Sequence, residues 1–116
     1  MDERRKYKRK QISIDVEYDM QPEHLGKANA TDISQGGICL ITKTQLQRGR
    51  EFDIKFYVPE FNHAVKVTGK VAWSREEGEK RKLHYINGIE FRKMDERDLD
   101  VIIKFVEGAT FVDKKM

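Results

Sequence analysis

One cysteine, Cys39, stands in the 116 residues, so an intramolecular disulfide and a cysteine-rich zinc site are both excluded. Between Ile38 and Leu40 it reads as a small buried apolar residue. Long apolar runs are missing as well, and nothing approaches the stretch of about 20 apolar residues that a membrane span requires. No apolar segment follows the opening Met-Asp-Glu-Arg-Arg, which argues against a secretory signal and for the cytoplasm. Internal repeats and low-complexity segments are lacking. His24, His63 and His84 fall in different segments with no paired metal-ligand spacing, and His84, between Leu83 and Tyr85, reads as a strand residue. No carboxylate sits in the apolar context of a general acid, and Ser34 has no histidine nearby in sequence to activate it. The expectation is a protein that is not an enzyme and holds neither metal nor cofactor.

Charge of one sign is also short. Hydrophobic residues make up 38% and charged residues 37%, yet the net charge is only +3. Most of the charge is therefore balanced surface, and a uniformly basic nucleic-acid coat is not implied. The length suits one domain with one core. Its basic charge is concentrated in residues 1–10, where Arg4, Arg5, Lys6, Lys8, Arg9 and Lys10 surround Tyr7. Such a run cannot bury itself and is expected to be a flexible arm until an anion meets it.

Strict alternation then begins. Ile12, Ile14, Val16 and Tyr18 share one face, as in a half-buried strand. A loop is expected from Met20 to Gly26 around Pro22. Strands follow at about 28–33 and 38–42, joined by a reversal at Gly36-Gly37, where a Cβ would be resisted. Phe52, Ile54, Phe56 and Val58 alternate next. After a turn at 59–63, Val65, Val67, Val71 and Trp73 continue the period, with Gly69 where a strand bend is expected. Trp73 is expected in the core. A charged hairpin loop at 76–82 leads to a sixth strand carrying Leu83, Tyr85, Ile89 and Phe91. The period changes at Asp95, an expected N-cap, and Leu99, Ile102, Ile103 and Val106 mark a helical face, widened by Val101 and Phe105 and closed by Gly108. Six antiparallel strands and one C-terminal helix over 11–108 predict an all-β, closed or nearly closed β-barrel with a helix plugging or flanking it, followed by a short tail, 109–116.

Two segments carry binding chemistry. Arginine offers a planar fork of donors that suits phosphate and the O6 and N7 edge of guanine. Arg5 and Arg9, four apart with Arg4 in front, can clasp one compact anion. At the second reversal, Asp32 supplies acceptors for guanine N1–H and N2–H₂, Ser34 adds a hydroxyl, and Gly36 and Gly37 let backbone approach a ligand. Alone, the first segment is a basic tail and the second an ordinary turn.

Together, in this order, Arg5-x-x-x-Arg9 and Asp32-x-Ser34-x-x-Gly37 resemble the PilZ domain family of bacterial cyclic di-GMP receptors. The segment from Gly69 to Ser74 looks like the family's fifth strand, and Tyr85-Ile-Asn-Gly-Ile-Glu-Phe91 is similar to its sixth. The resemblance implies a six-stranded antiparallel β-barrel of the split-barrel type with a C-terminal helix. It implies cyclic di-GMP as ligand, with Arg5 and Arg9 gripping phosphates and guanine edges, Arg4 supporting, Asp32 and Ser34 reading a guanine, and Gly37 holding the turn. Gly88 is expected to be structural, close to the site at most. The arm would fold across the barrel on binding and create a composite surface. With the arm opening the chain, the signal is expected to pass to a separate downstream protein or to a second copy, as a homodimer. Rival readings are a single-strand nucleic-acid binder that stacks bases on Tyr7, and a PilZ-like adaptor that no longer binds nucleotide.

Overall fold

Six strands form where period-two segments predict them. The computed structural model describes residues 7–20 and 24–108. The strands are β1 (Arg9–Met20), β2 (His24–Ser34), β3 (Gly37–Thr42), β4 (Glu51–Val58), β5 (His63–Glu77) and β6 (His84–Met94), followed by one helix, α1 (Glu96–Glu107). All neighbours are antiparallel, and they close into a barrel in the order β1-β2-β3-β6-β5-β4. In β4 the cause is plain: Phe52, Ile54, Phe56 and Val58 are buried while Glu51, Asp53, Lys55 and Tyr57 face solvent. Val16, Leu40, Val65, Val71 and Ile89 complete the interior from the other strands.

Several boundaries differ from expectation. Arg9 and Lys10 pair with Ser34 and Ile33, so β1 takes the last two residues of the arm. Strand also replaces most of the loop expected from Met20 to Gly26; Pro22 itself lies outside the described residues, as does the tail 109–116. Leu83 falls just before β6 and is exposed.

Cys39 is half-buried, not a core residue. Successive strand residues alternate faces, so apolar neighbours that point inward, Ile38 and Leu40, are the very reason Cys39 points out. Trp73 is corrected in the same sense and stands 39% exposed. Val71 pairs with Ile89 and Trp73 with Gly88, which makes Ala72 an extra residue on β5. That bulge flips the facing of everything after it. A second irregularity falls at Gly69, where a strand bend was expected; a Cβ there would lie 2.5 Å from Ile89 Cγ2.

α1 is closed as its sequence predicts. The Asp95 side chain accepts from Arg97 N at 2.8 Å, and Gly108 ends the helix in the left-handed region at φ 74°. Its buried face is Asp98, Ile102, Phe105 and Val106, with Leu99 and Ile103 only half-buried. Asp98 takes the inward position because its carboxylate is satisfied there, by His63 Nε2 at 2.7 Å and Lys66 N at 3.2 Å. The helix lies over one end of the barrel, against β1, β2, β5 and the 3₁₀ turn Pro59–Phe61.

Candidate ligand-binding site

The start of β1 and the β2–β3 hairpin bring Arg9 of the first predicted segment to Asp32 of the second. Arg9, at the start of β1, faces the end of β2, and its Nη1 donates to Asp32 Oδ1 at 2.9 Å. Both side chains keep contact with solvent, at 51% and 26% exposure, so each can exchange this partner for a ligand. Ser34 is buried, and its Oγ accepts from Gly36 N at 3.1 Å, which fixes the turn and leaves the hydroxyl proton to donate.

The paired glycines act through contact. Neither has a positive φ. A Cβ on Gly37 would fall 2.3 Å from the Ile89 carbonyl oxygen, so the missing side chain lets the hairpin lie directly on β6. A Cβ on Gly36 would come within 3.0 Å of the Tyr7 ring, and Gly36 O accepts from Phe91 N at 2.9 Å. Arg4 and Arg5 lie outside the described residues.

Around this hairpin runs a surface cavity of about 290 Å³, lined by Tyr7, Arg9, Ser34, Gly36, Gly37, Trp73, Gly88 and Glu90 among others. Trp73 and Gly88 enter it through the bulge. The indole rests on Gly88, where a Cβ would be 2.2 Å from Trp73 Nε1, and the Arg75 guanidinium lies 5.6 Å from the ring centroid. The strand periodicity of β5 gives no sign of this; the available signal is a glycine in β6 able to seat a large aromatic across the sheet. Cys39 stands in the same cross-strand row, between Asp32 and Gly88. Burial and then the Asp32 carboxylate push its thiol pKa up, against the opposing Thr31 hydrogen bond and the Arg9 and Arg75 charges.

The arrangement offers a donor fork, a carboxylate, a hydroxyl and an aromatic wall over a glycine floor. That combination suits a planar, polar, anionic ligand. A larger cleft, about 520 Å³, lies where β1, β4, β5 and the end of β6 meet. It mixes carboxylates with Lys55, Lys66 and Lys93 and has neither arginine nor a glycine floor. Among the described residues no group of three or more His, Cys, Asp or Glu side chains could hold a metal ion, and no helix is long and apolar enough to cross a membrane.

Comparison with known proteins bears on this site. A family model described as the PilZ domain matches residues 3–108. No curated protein matches the chain in sequence. Among solved structures, the Bacillus subtilis inhibitor of motility, MotI/DgrA, is similar at TM-score 0.73 and 19% identity, over 95% of this chain and 52% of that one. The PilZ domain of YcgR from Escherichia coli, solved with c-di-GMP, is similar at TM-score 0.71 and 14% identity, over 97% and 99%. The K. pneumonia MrkH–c-di-GMP complex is similar at TM-score 0.71 and 17% identity, over 94% and 53%. The chain thus spans about half the length of MotI/DgrA and MrkH, and nearly all of the YcgR domain.

Proposed function

This chain belongs to the PilZ domain family, and on that premise we propose that it is a cyclic di-GMP receptor that binds, without catalysis, at the β2–β3 hairpin and passes the signal to a downstream protein. The observation that carries the reading is the Arg9–Asp32 pair at the rim of a glycine-floored cavity. Guanine presents O6 and N7 acceptors on one edge and N1–H and N2–H₂ donors on the next. Arg9 fits the first set and Asp32 the second.

The cavity supports one base. Pockets that enclose a whole small ligand start at about 300 Å³, and 290 Å³ of open cleft is too little to cover a dinucleotide. The remainder, with its phosphates, falls to Arg4 and Arg5 of residues 1–10, which close over the ligand and build a surface that did not exist before. Trp73 supplies a stacking face. The partner is a separate protein or a second copy of the chain; the ligand chemistry is the same for both, and the domain works in the cytoplasm.

Calorimetry tests this with cyclic di-GMP, cyclic di-AMP and an Arg9→Ala variant. Native chain is expected to bind the guanine ligand and not the adenine one, since adenine puts an amine donor where Arg9 meets O6, an acceptor at N1 and no amine at C2 for Asp32. Loss of a charge-assisted hydrogen bond of about 1.5–3 kcal/mol weakens the variant by roughly tenfold to a hundredfold. No heat from native chain with cyclic di-GMP refutes the reading.

A further inference from the structure

We propose that Lys10 couples ligand capture to α1, so that taking up the ligand through Arg9 and Asp32 draws Lys10 off the end of the helix. The inference rests on the receptor reading above. Arg9 and Lys10 are consecutive and point opposite ways, as neighbours on a strand do. Arg9 reaches outward to Asp32 at 2.9 Å. Lys10 reaches the other way: its Nζ donates to the Phe105 carbonyl at 3.2 Å and lies 4.2 Å from the centroid of the Phe105 ring. That carbonyl belongs to the last turn of α1, where it also accepts from the capping Gly108 N at 3.2 Å, and a cation there is favoured by the helix dipole. Phe105 is 4% exposed and sits edge-on to Phe61, so its side of the contact is fixed and Lys10 is the movable partner.

The start of β1 is built to move. Arg9, Lys10 and Gln11 pair with Ser34, Ile33 and Asp32, and the register then shifts between Gln11 and Ile14. Three paired residues therefore form a short flap, joined to the rest of the strand through an irregularity. A guanine read by both Arg9 and Asp32 puts its edge between them, and side chains 2.9 Å apart leave no room for it. The pair has to part. Asp32 is tied to β3 through Cys39, while its partner on the β1 side, Gln11, belongs to the flap itself, so the flap yields and carries Lys10 with it.

Linkage fixes the sign. If ligand capture loosens Lys10 from α1, the hold of Lys10 on α1 opposes capture by the same factor. Lys10→Met keeps the stem but removes donor and charge, and it is expected to bind cyclic di-GMP about fivefold tighter. Charge alone predicts the reverse, because the variant has lost a cation near an anion.

The experiment measures cyclic di-GMP affinity by calorimetry and amide exchange of residues 105–108, using the 116-residue chain. In native chain the ligand is expected to speed that exchange about fivefold. In Lys10→Met the free protein already exchanges fast and the ligand adds nothing, while Lys10→Arg, which keeps a donor, restores the response. Unchanged or weaker binding by Lys10→Met, or a native α1 indifferent to ligand that it binds, overturns the proposal. A ligand-free arm separates it from the receptor reading. Arg9→Ala releases the flap from Asp32 and should speed exchange at 105–108, but not when combined with Lys10→Met. Should that hold while cyclic di-GMP gives no heat, the receptor reading fails and the linkage from Arg9 through Lys10 to α1 stands. Should Arg9→Ala leave α1 unmoved, the coupling fails whatever the ligand does.

Discussion

Trp73 is the one tryptophan of the chain and forms a wall of the cavity, so the protein's indole fluorescence comes from a residue of the site. Its place depends on Gly88. A methyl group there would stand 2.2 Å from Nε1, and an exposed ring can only answer by swinging away. Gly88→Ala is therefore expected to shift the emission of the free protein to the red and to weaken cyclic di-GMP, while costing only about 1 kcal/mol of stability, the scale of an ordinary surface change. Unaltered emission would show that the ring is not seated on that glycine. At this scale Arg9, Asp32, Ser34 and Gly37 were legible in the sequence, because each belongs to a short motif whose chemistry shows without a fold. Trp73 was not, since one extra residue, Ala72, turns it from the core to the site. Cys39 misled for a related reason: apolar neighbours in a strand share the opposite face.

Between elements, the most consequential side chain is Asn87. It is fully buried, and its Nδ2 donates to Leu40 O at 3.1 Å and Thr42 Oγ1 at 3.0 Å while its Oδ1 accepts from Ser74 Oγ at 2.7 Å. One amide thereby ties β3, β5 and β6 just beyond the bulge that presents Trp73. Asn87→Ala strands several buried polar groups at once, with an expected cost of about 2–4 kcal/mol in urea unfolding. A loss below about 0.5 kcal/mol would mean that water or a rearrangement satisfies them. Strand and helix existence followed from period alone, and the two ends of α1 from Asp95 and Gly108. The buried face of α1 did not follow, because Asp98 counts as polar in any pattern until His63 and the Lys66 amide are seen to satisfy it. The start of β1 was hidden likewise: a basic pair reads as tail until β2 is there to pair with it.

For the molecule as a whole, barrel closure gives each of the six strands among the described residues a paired neighbour on both sides over part of its length, so recognition is expected to use the outer face, the ends and residues 1–10. This sharpens the contrast with a single-strand nucleic-acid binder. Such a protein would track a polyanion with the arm's cations, Arg4, Arg5, Lys6, Lys8, Arg9 and Lys10, releasing condensed counterions for each phosphate met. Six contacts at a slope of roughly −0.7 each predict an affinity loss of a few hundredfold between about 50 and 200 mM salt. Cyclic di-GMP carries two phosphates and no condensed atmosphere, so its binding is expected to fall by less than about tenfold over the same range. Titrating the chain with cyclic di-GMP and with a mixed-sequence single strand at both salt concentrations separates the two. A steep loss shared by both ligands would assign the arm to a polyanion, and the guanine contacts of Arg9 and Asp32 would then lose their function. A shallow slope for the dinucleotide, with the strand bound weakly and released by salt, keeps recognition in the hairpin, where two edges of one base are read by a fork and a carboxylate.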